Sequence, residues 1–377
     1  MYSRIFKPES NQSYFLLGPR GTGKSSWLRE TYKNVNYIDL LDDEVFLNLN
    51  AQPKNLSNYI ANVKLPIVID EVQKIPQLLN EVHRLIELKK YKFVLTGSSA
   101  RKLRKNGVNF LAGRAFTYHF HPLTCSELGK DFNVKKALQF GLLPTVTQVQ
   151  NPEKYLESYL RTYLKEEIQQ EGLTRNLPAF SRFLQAASFS QASPLNVSSV
   201  ASDCYVERKV VEDYFQILRD LMISIELPIF SKKAKRELIK KNKFYFFDCG
   251  VFRTIRPRGP LDLDSELNGA ALETLVLQNI RAINEYQNLK YEIFYWHTRK
   301  HQEVDFILYG PKKLMAIEVK SSAKIRSDDL DNLTLFAEDY PVAEKLLIYG
   351  GSEEKVLRGV KIVPAKVFFE NIIDYLK

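Results

Sequence analysis

Residues able to do chemistry gather at two places far apart in the chain. The first begins with Gly18, Pro19, Arg20, Gly21, Thr22, Gly23, Lys24 and Ser25, a run that fits G-x-x-x-x-G-K-[ST] without a mismatch. Glycines let backbone N–H groups converge on phosphate oxygens where side chains would hold them off. In this pattern Lys24 reaches the terminal phosphates and Ser25 offers its hydroxyl to Mg2+, so the whole run reads as an ATP site. Asp70 and Glu71 follow the apolar run 65–69. An adjacent Asp-Glu pair is commonplace on loops. Downstream of a phosphate loop, however, Asp70 would hold Mg2+ and Glu71 would polarise the water that attacks the γ-phosphate. The second place holds Asp305 and the triplet Glu318, Val319 and Lys320. Two carboxylates bind Mg2+ through oxygen, and a lysine activates water or steadies the charge on a phosphorane. A Glu-x-Lys triplet is also an ordinary guard of a hairpin edge, but apolar Ile317 and Val319 beside it argue for a built strand.

These residues need elements to carry them. Tyr14 to Leu17 form an apolar strand before the phosphate loop, and 26–32 reads as a helix behind it. Short strands follow at 36–40 and 65–71, the latter a buried parallel strand whose tip faces the nucleotide crevice. Residues 81–90 make an amphipathic helix with Val82, Leu85, Ile86 and Leu88 on one side. The strand at 92–99 ends in Thr96, Gly97, Ser98 and Ser99. Ser98 or Thr96 is placed to sense the γ-phosphate; capping of a following helix by Ser98 or Ser99 is the plainer alternative. His119 and His121 alternate with Phe120 as strand residues do and read as structural, not as metal ligands.

In the middle, 151–168 carries Tyr155, Leu156, Tyr159, Leu160, Tyr163 and Leu164 at helical spacing, a core-packing stripe. Helices at 178–187, 196–202 and 207–218 have helix-turn-helix spacing, with wing strands at 221–227 and 244–247. Between the wing strands lie Lys232, Lys233, Lys235, Arg236, Lys240, Lys241 and Lys243, opposed only by Glu237. That composition suits contact with duplex DNA phosphates. The third helix carries Glu207, Arg208, Lys209, Glu212, Asp213 and Gln216, a mixed-sign face poor for reading sequence. The bland alternative is a rigid connector with solvated lysines.

Pro257, Gly259 and Pro260 with Asp262 and Asp264 mark a linker. A helix at 268–283 then turns Leu272, Val276, Ile280 and Ile283 to one side, with Glu273 on its flank. Strands at 291–297, 303–308 and 314–320 follow, 345–349 and 360–363 extend the sheet, and 367–376 closes as a helix. Strand alternation puts Glu318 and Lys320 on one face, where Asp305 of the preceding strand points too.

The N-terminal motifs, with Ile69, Asp70, Glu71, Val72 and Gln73 and then Leu95 to Ser99, resemble the AAA-type prokaryotic P-loop ATPases. Within these the chain is similar to the group with a winged-helix module and a C-terminal domain of unknown function. Leu111, Ala112, Gly113 and Arg114 match that group's recurring run, as do Pro122, Leu123, Thr124, Glu127, Leu128 and Gly141 to Pro144. Phe140 stands where the group usually has another glycine. The resemblance implies that Arg114 is a nucleotide-sensing arginine, with Arg101 and Arg104 as rivals. The C-terminal segment resembles the PD-(D/E)XK nuclease superfamily, in which Glu273 matches an additional carboxylate and Glu273, Asp305, Glu318 and Lys320 make a complete catalytic set. The implied fold class is α/β: a P-loop parallel sheet over 1–150, a winged helix-turn-helix over 151–256 and a restriction-endonuclease-like domain over 257–377.

Bulk properties agree. The 377 residues hold 45% hydrophobic and 26% charged residues, ordinary for a globular protein, and a net charge of +10 favours an anionic partner. Cys125, Cys204 and Cys249 are too few and too scattered for a disulfide framework or a zinc site. No secretory h-region and no 18-residue apolar run occurs, so no membrane partner and a cytoplasmic location are expected. The expected function is ATP binding and hydrolysis coupled to DNA handling, DNA being held through Lys232, Lys233, Lys235 and Arg236. Self-association and a Mg2+-dependent nuclease activity complete that expectation. Its rival is a nucleotide-switched assembly module with a catalytically silent nuclease-like fold.

Overall fold

Tyr14, Phe15, Leu16 and Leu17 have no polar side chain to show to water except one phenol, and a strand apolar on both faces must be covered on both. In the computed structural model, which describes residues 2–9, 11–99, 111, 113–164, 168, 176–260 and 263–377, that strand is β1 (Ser13–Leu17), buried throughout. Arg101, Arg104, Ala112 and Asp262 lie outside the described residues. The chain divides into two compact units: Arg4–Pro122 with Ile217–Ile223, and Leu123–Gln216 with Ser224–Lys377 and the first three residues. Of the 151–256 stretch, 217–223 fall in the first of these units and the rest in the second, together with 257–377.

The first unit is built on a parallel sheet of five strands: β1, β2 (Asn36–Asp39), β3 (Ile67–Asp70), β4 (Phe93–Gly97) and β5 (Ala115–His119), in the order β2-β3-β4-β1-β5. The helix Lys24–Thr31 starts two residues before the expected 26, and the amphipathic helix runs Leu78–Lys89. Phe15, Ile69, Val82, Leu85 and Leu95 share one core with both sheet and helix residues.

The second unit holds two sheets. The smaller, β6 (Ser193–Pro194), β7 (Ser224–Leu227) and β8 (Lys243–Phe246), has the order β6-β8-β7; β6 lies between the helices Leu177–Ser188 and Val197–Cys204, and β7 and β8 come after Arg208–Asp220. The stretch read as one helix from 151 to 168 is an α-helix over Pro152–Ser158 and then a π-helix over Tyr159–Leu164. The larger sheet is mixed, β13-β14-β12-β11-β10-β9, from β9 (Glu292–His297), β10 (Glu303–Tyr309), β11 (Leu314–Lys320), β12 (Ala343–Tyr349), β13 (Lys355–Leu357) and β14 (Val360–Pro364). The closing segment forms two short helices, Ala365–Glu370 and Ile372–Leu376.

Two corrections concern the middle. The segment between β7 and β8 is not a free wing tip. Phe230 N donates to Tyr295 O at 2.7 Å, Tyr295 N to Pro228 O at 3.1 Å, and Ile239 N to His297 O at 3.2 Å, so it runs along β9 and satisfies that sheet edge. Of its cations, Lys232 pairs with Glu292 at 2.6 Å, and Arg236 with Asp339 at 2.8 Å. Phe140, where a glycine was expected by resemblance, is accommodated because Gly141 takes the left-handed turn at φ 72°. The buried Asp248 packs against Gly141, accepts Leu142 N–H at 2.8 Å and caps the helix Cys249–Ile255. No described helix is long and apolar enough to cross a membrane.

Candidate functional site

The phosphate loop leaves β1 and enters the helix Lys24–Thr31, so its N–H groups and the helix N-terminus face one point. Gly21 and Gly23 hold φ at 81° and 90°, values that a side chain would strain. Lys24, 5% exposed, folds back so that Nζ donates to Gly18 O at 2.6 Å and Pro19 O at 3.1 Å, and Thr22 Oγ1 donates to Pro19 O at 2.9 Å. Ser25 is half-buried in the helix's first turn. Arg4, which the sequence reading did not single out, ties the loop to the segment after β5. Its guanidinium donates to Thr22 O at 2.9 Å and His121 O at 2.7 Å, and lies 4.0 Å over the Phe120 ring. A lone arginine near the N-terminus carries no motif.

At the tip of β3, Asp70 is buried, and its carboxylate accepts from Thr96 Oγ1 and from Tyr37 OH at 2.5 Å. Burial first, then the Asp70 carboxylate, pushes the Tyr37 phenol's pKa up, keeping it a donor. The strand expected to continue through 71 stops at Asp70, because Glu71 turns left-handed at φ 60°. Glu71 N donates to Thr96 Oγ1 at 3.1 Å, and its carboxylate accepts from Gln73 Nε2 and from Ser98 Oγ at 3.2 Å. Gln73 Nε2 also donates to Ser98 Oγ at 3.1 Å. Thr96 and Ser98 were alternatives for one role; they take two, Thr96 fixing both acidic residues and Ser98 meeting the Glu71 carboxylate. Gln73 was missed: only its being two residues past Glu71 and 6% exposed marks it.

Arg114 is not brought to this site. Ala115 pairs with Ser13 and His119 with Leu17, so Arg114 precedes the end of β5 remote from Gly18, about 20 Å away along the strand. It pairs there with Glu87. That position does not bring Arg114, expected as a nucleotide-sensing arginine, to its own chain's phosphate loop.

In the second unit, Glu273 from the helix Asp264–Tyr286, Asp305 from β10 and Glu318 from β11 are buried together. A bulge between Val304 and Ile307 adds a residue to β10 opposite β9, where Asp305 sits. Asp305 Oδ2 accepts Val319 N–H at 2.9 Å, and Lys320 Nζ donates to Glu318 Oε1 at 2.6 Å. The middle of the cluster belongs to a residue counted among the wing lysines. Lys243 Nζ lies 2.5 Å from Glu273 Oε1, 2.6 Å from Glu303 Oε1 and 2.9 Å from Asp305 Oδ1, its side chain 1% exposed. Tyr245, two residues on and so on the same face of β8, donates to Glu273. Alternation in Lys243, Phe244, Tyr245 and Phe246 was the available signal: two aromatic rings inward on one face leave Lys243 and Tyr245 on the other.

Burial alone would depress the Lys243 ammonium, but Asp305, Glu273 and Glu303 outweigh it and hold its pKa well above the usual range. Burial, reinforced by Asp305, pushes Glu273 and Glu318 each up to about 8. Glu303 is held down at about 2: burial would raise it, but Lys243 and His297 prevail. Of the two residues expected to hold Mg2+, Asp305 is in contact with the Lys243 ammonium, whereas Glu318 pairs with Lys320. Among the described residues no group of His, Cys, Asp or Glu has a metal-holding arrangement.

Residues 10–129 match the family model described as an AAA domain, 131–264 a domain of unknown function, DUF8612, and 268–368 another, DUF4143. No curated protein matches the chain. Among solved structures, the Aeropyrum pernix ORC1 protein in complex with DNA is 15% identical over 66% of this chain and 87% of that one, with a TM-score of 0.27. The ADP form of the Aeropyrum pernix ORC2 protein is 12% identical over 71% and 89%, with a TM-score of 0.29. Protein VC1899 from Vibrio cholerae is 13% identical over 97% of both, with a TM-score of 0.24. Likenesses at that level assign no role. The loop after β1, the acidic tip of β3 and the match over residues 10–129 together make this region a P-loop ATPase domain of AAA type.

Proposed function

We propose that the chain hydrolyses ATP at Gly18 to Ser25 with Asp70 and Glu71, and that its nucleotide state governs how it handles DNA. Ser25 and Asp70 are the residues that would hold Mg2+, which when bound would supply positive charge to offset that of the phosphates. Lys24 exchanges the Gly18 and Pro19 carbonyls for phosphate oxygens. Glu71 orients the attacking water, and Ser98, hydrogen-bonded to its carboxylate, reports the γ-phosphate. The observation that carries hydrolysis over simple storage is Glu71 itself. A left-handed non-glycine backbone costs about 1–3 kcal/mol and persists where surrounding contacts over-determine it, here Thr96, Gln73 and Ser98.

DNA contact rests on the net charge of +10 and on the segment 228–242. Lys233, Lys235, Lys240 and Lys241 are exposed there, whereas Lys232 and Arg236 are engaged with acidic side chains. The order helix, β6, helix, helix, β7, β8 supports a winged-helix reading of 151–256 between an ATPase part, 1–150, and a nuclease-like part, 257–377. The double change Lys233→Glu and Lys235→Glu is expected to weaken duplex binding and to flatten its log–log salt dependence by about one for each phosphate left unneutralised. Fluorescence anisotropy across a salt series checks this; unchanged affinity and slope would remove the segment from DNA binding.

Self-association is the second part of the reading, and the position of Arg114 favours it. At the edge remote from its own phosphate loop, that arginine would be available to the nucleotide of another copy.

A further inference from the structure

Four carboxylates and two lysines meet in the second unit, and the way they are shared out decides what else they can hold. A lysine ammonium has three N–H donors, and Lys243 has a different carboxylate oxygen within 2.9 Å for each: Glu273, Glu303 and Asp305. Asp305 spends its second oxygen on Val319 N–H at 2.9 Å, and Glu318 spends Oε1 on Lys320 at 2.6 Å. Among the described residues only Glu318 Oε2 is left buried without a partner in this group. Mg2+ demands about six oxygens at about 2.0–2.1 Å in near-octahedral array. Both Asp305 oxygens and one of Glu318's are committed, and an ammonium occupies the point on which Glu273, Glu303 and Asp305 converge.

We infer that Lys243 is the resident cation of this cluster, standing where a nuclease-like site would hold its divalent ion, so that the native chain binds no divalent ion there and does not cut phosphodiester bonds with it. The lysine comes from β8, outside the strands that carry the nuclease-like motif, so Asp305, Glu318 and Lys320 keep their places while the site stays closed. Instead of a reaction centre, the cluster is a tie between β8, the helix Asp264–Tyr286, β10 and β11. This inference is independent of the ATPase reading.

The test is Mn2+ binding to the nucleotide-free full chain, followed by the electron paramagnetic resonance of free Mn2+ together with thermal unfolding. Native protein is expected to take up no Mn2+ at the cluster. Lys243→Ala is expected to gain one Mn2+ site, roughly a hundred-fold or more tighter than any at the native cluster, because the repelling ammonium is gone. Its Tm should rise with Mn2+, and adding Asp305→Asn should abolish both effects. A folded Lys243→Ala protein indifferent to Mn2+ overturns the inference. Should that variant not fold, Lys243→Gln carries the same expectations, and the native protein decides alone: Mn2+ uptake that persists in Lys24→Ala and is lost in Asp305→Asn overturns it.

Discussion

Glu71→Gln is expected to lower ATP turnover by roughly a hundred- to ten-thousand-fold while ATP binding is retained. The amide keeps the size of the side chain and an oxygen to accept from Gln73 and Ser98 at the same place. The left-handed backbone at 71 and its N–H bond to Thr96 do not depend on the carboxylate. What disappears is the negative charge that draws a proton from the attacking water. Turnover by phosphate release and binding by equilibrium titration, measured on one preparation, separate the two effects. Equal loss of both would mean that Glu71 organises the loop, and unchanged turnover would mean that another group orients the water.

Gly18→Ala is the second large effect, and it comes from backbone, not charge. A methyl group at 18 would clash with the Phe120 carbonyl oxygen and lie 3.2 Å from its carbon. Phe120 cannot step aside easily. Its N–H donates to Leu17 O at 2.6 Å, and Arg4 holds both His121 O and Thr22 O. Either β5 peels from β1 or the loop moves off its axis, at a cost of about 1–3 kcal/mol. Binding should suffer more than folding, because the loop N–H groups must converge on phosphate to a fraction of an ångström. The expected result is loss of measurable ATP binding with Tm lowered by a few degrees, for a chain of this size. Ordinary ATP affinity in this variant would show that the close approach of Gly18 to Phe120 is incidental.

Much of this was legible in the residues, for reasons that differ from place to place. The phosphate loop and the Asp70–Glu71 tip were legible because phosphate chemistry restricts both residue type and spacing. β11 has the expected bounds to the residue, 314–320, because its alternation of buried apolar and functional side chains has no competing period. What escaped depended on tertiary partners. Glu71 looked like the end of a strand; its turn at φ 60° is imposed by Thr96 on β4, 25 residues away in sequence. Arg114 looked like a sensor by its neighbours in sequence, whereas the pairing of β5 with β1 puts it at the remote edge. Lys243 is the sharpest case. In a run of seven cations it has the composition of a solvated wing, yet the segment folds back along β9 and delivers its last lysine to the carboxylates as a 1% exposed side chain. Six of those cations stay at or near the surface, and only strand alternation with Tyr245 separates the seventh.

The central claim is a proposed division between two sites that both look directed at phosphate: one takes a metal–nucleotide pair once Lys24 leaves the loop carbonyls, and the other is closed by Lys243. The most direct measurement is the number of Mn2+ ions bound per native chain with and without ATP. The account predicts one with ATP and none without it. One Mn2+ without nucleotide, or two with it, abolished by Asp305→Asn, would contradict the account.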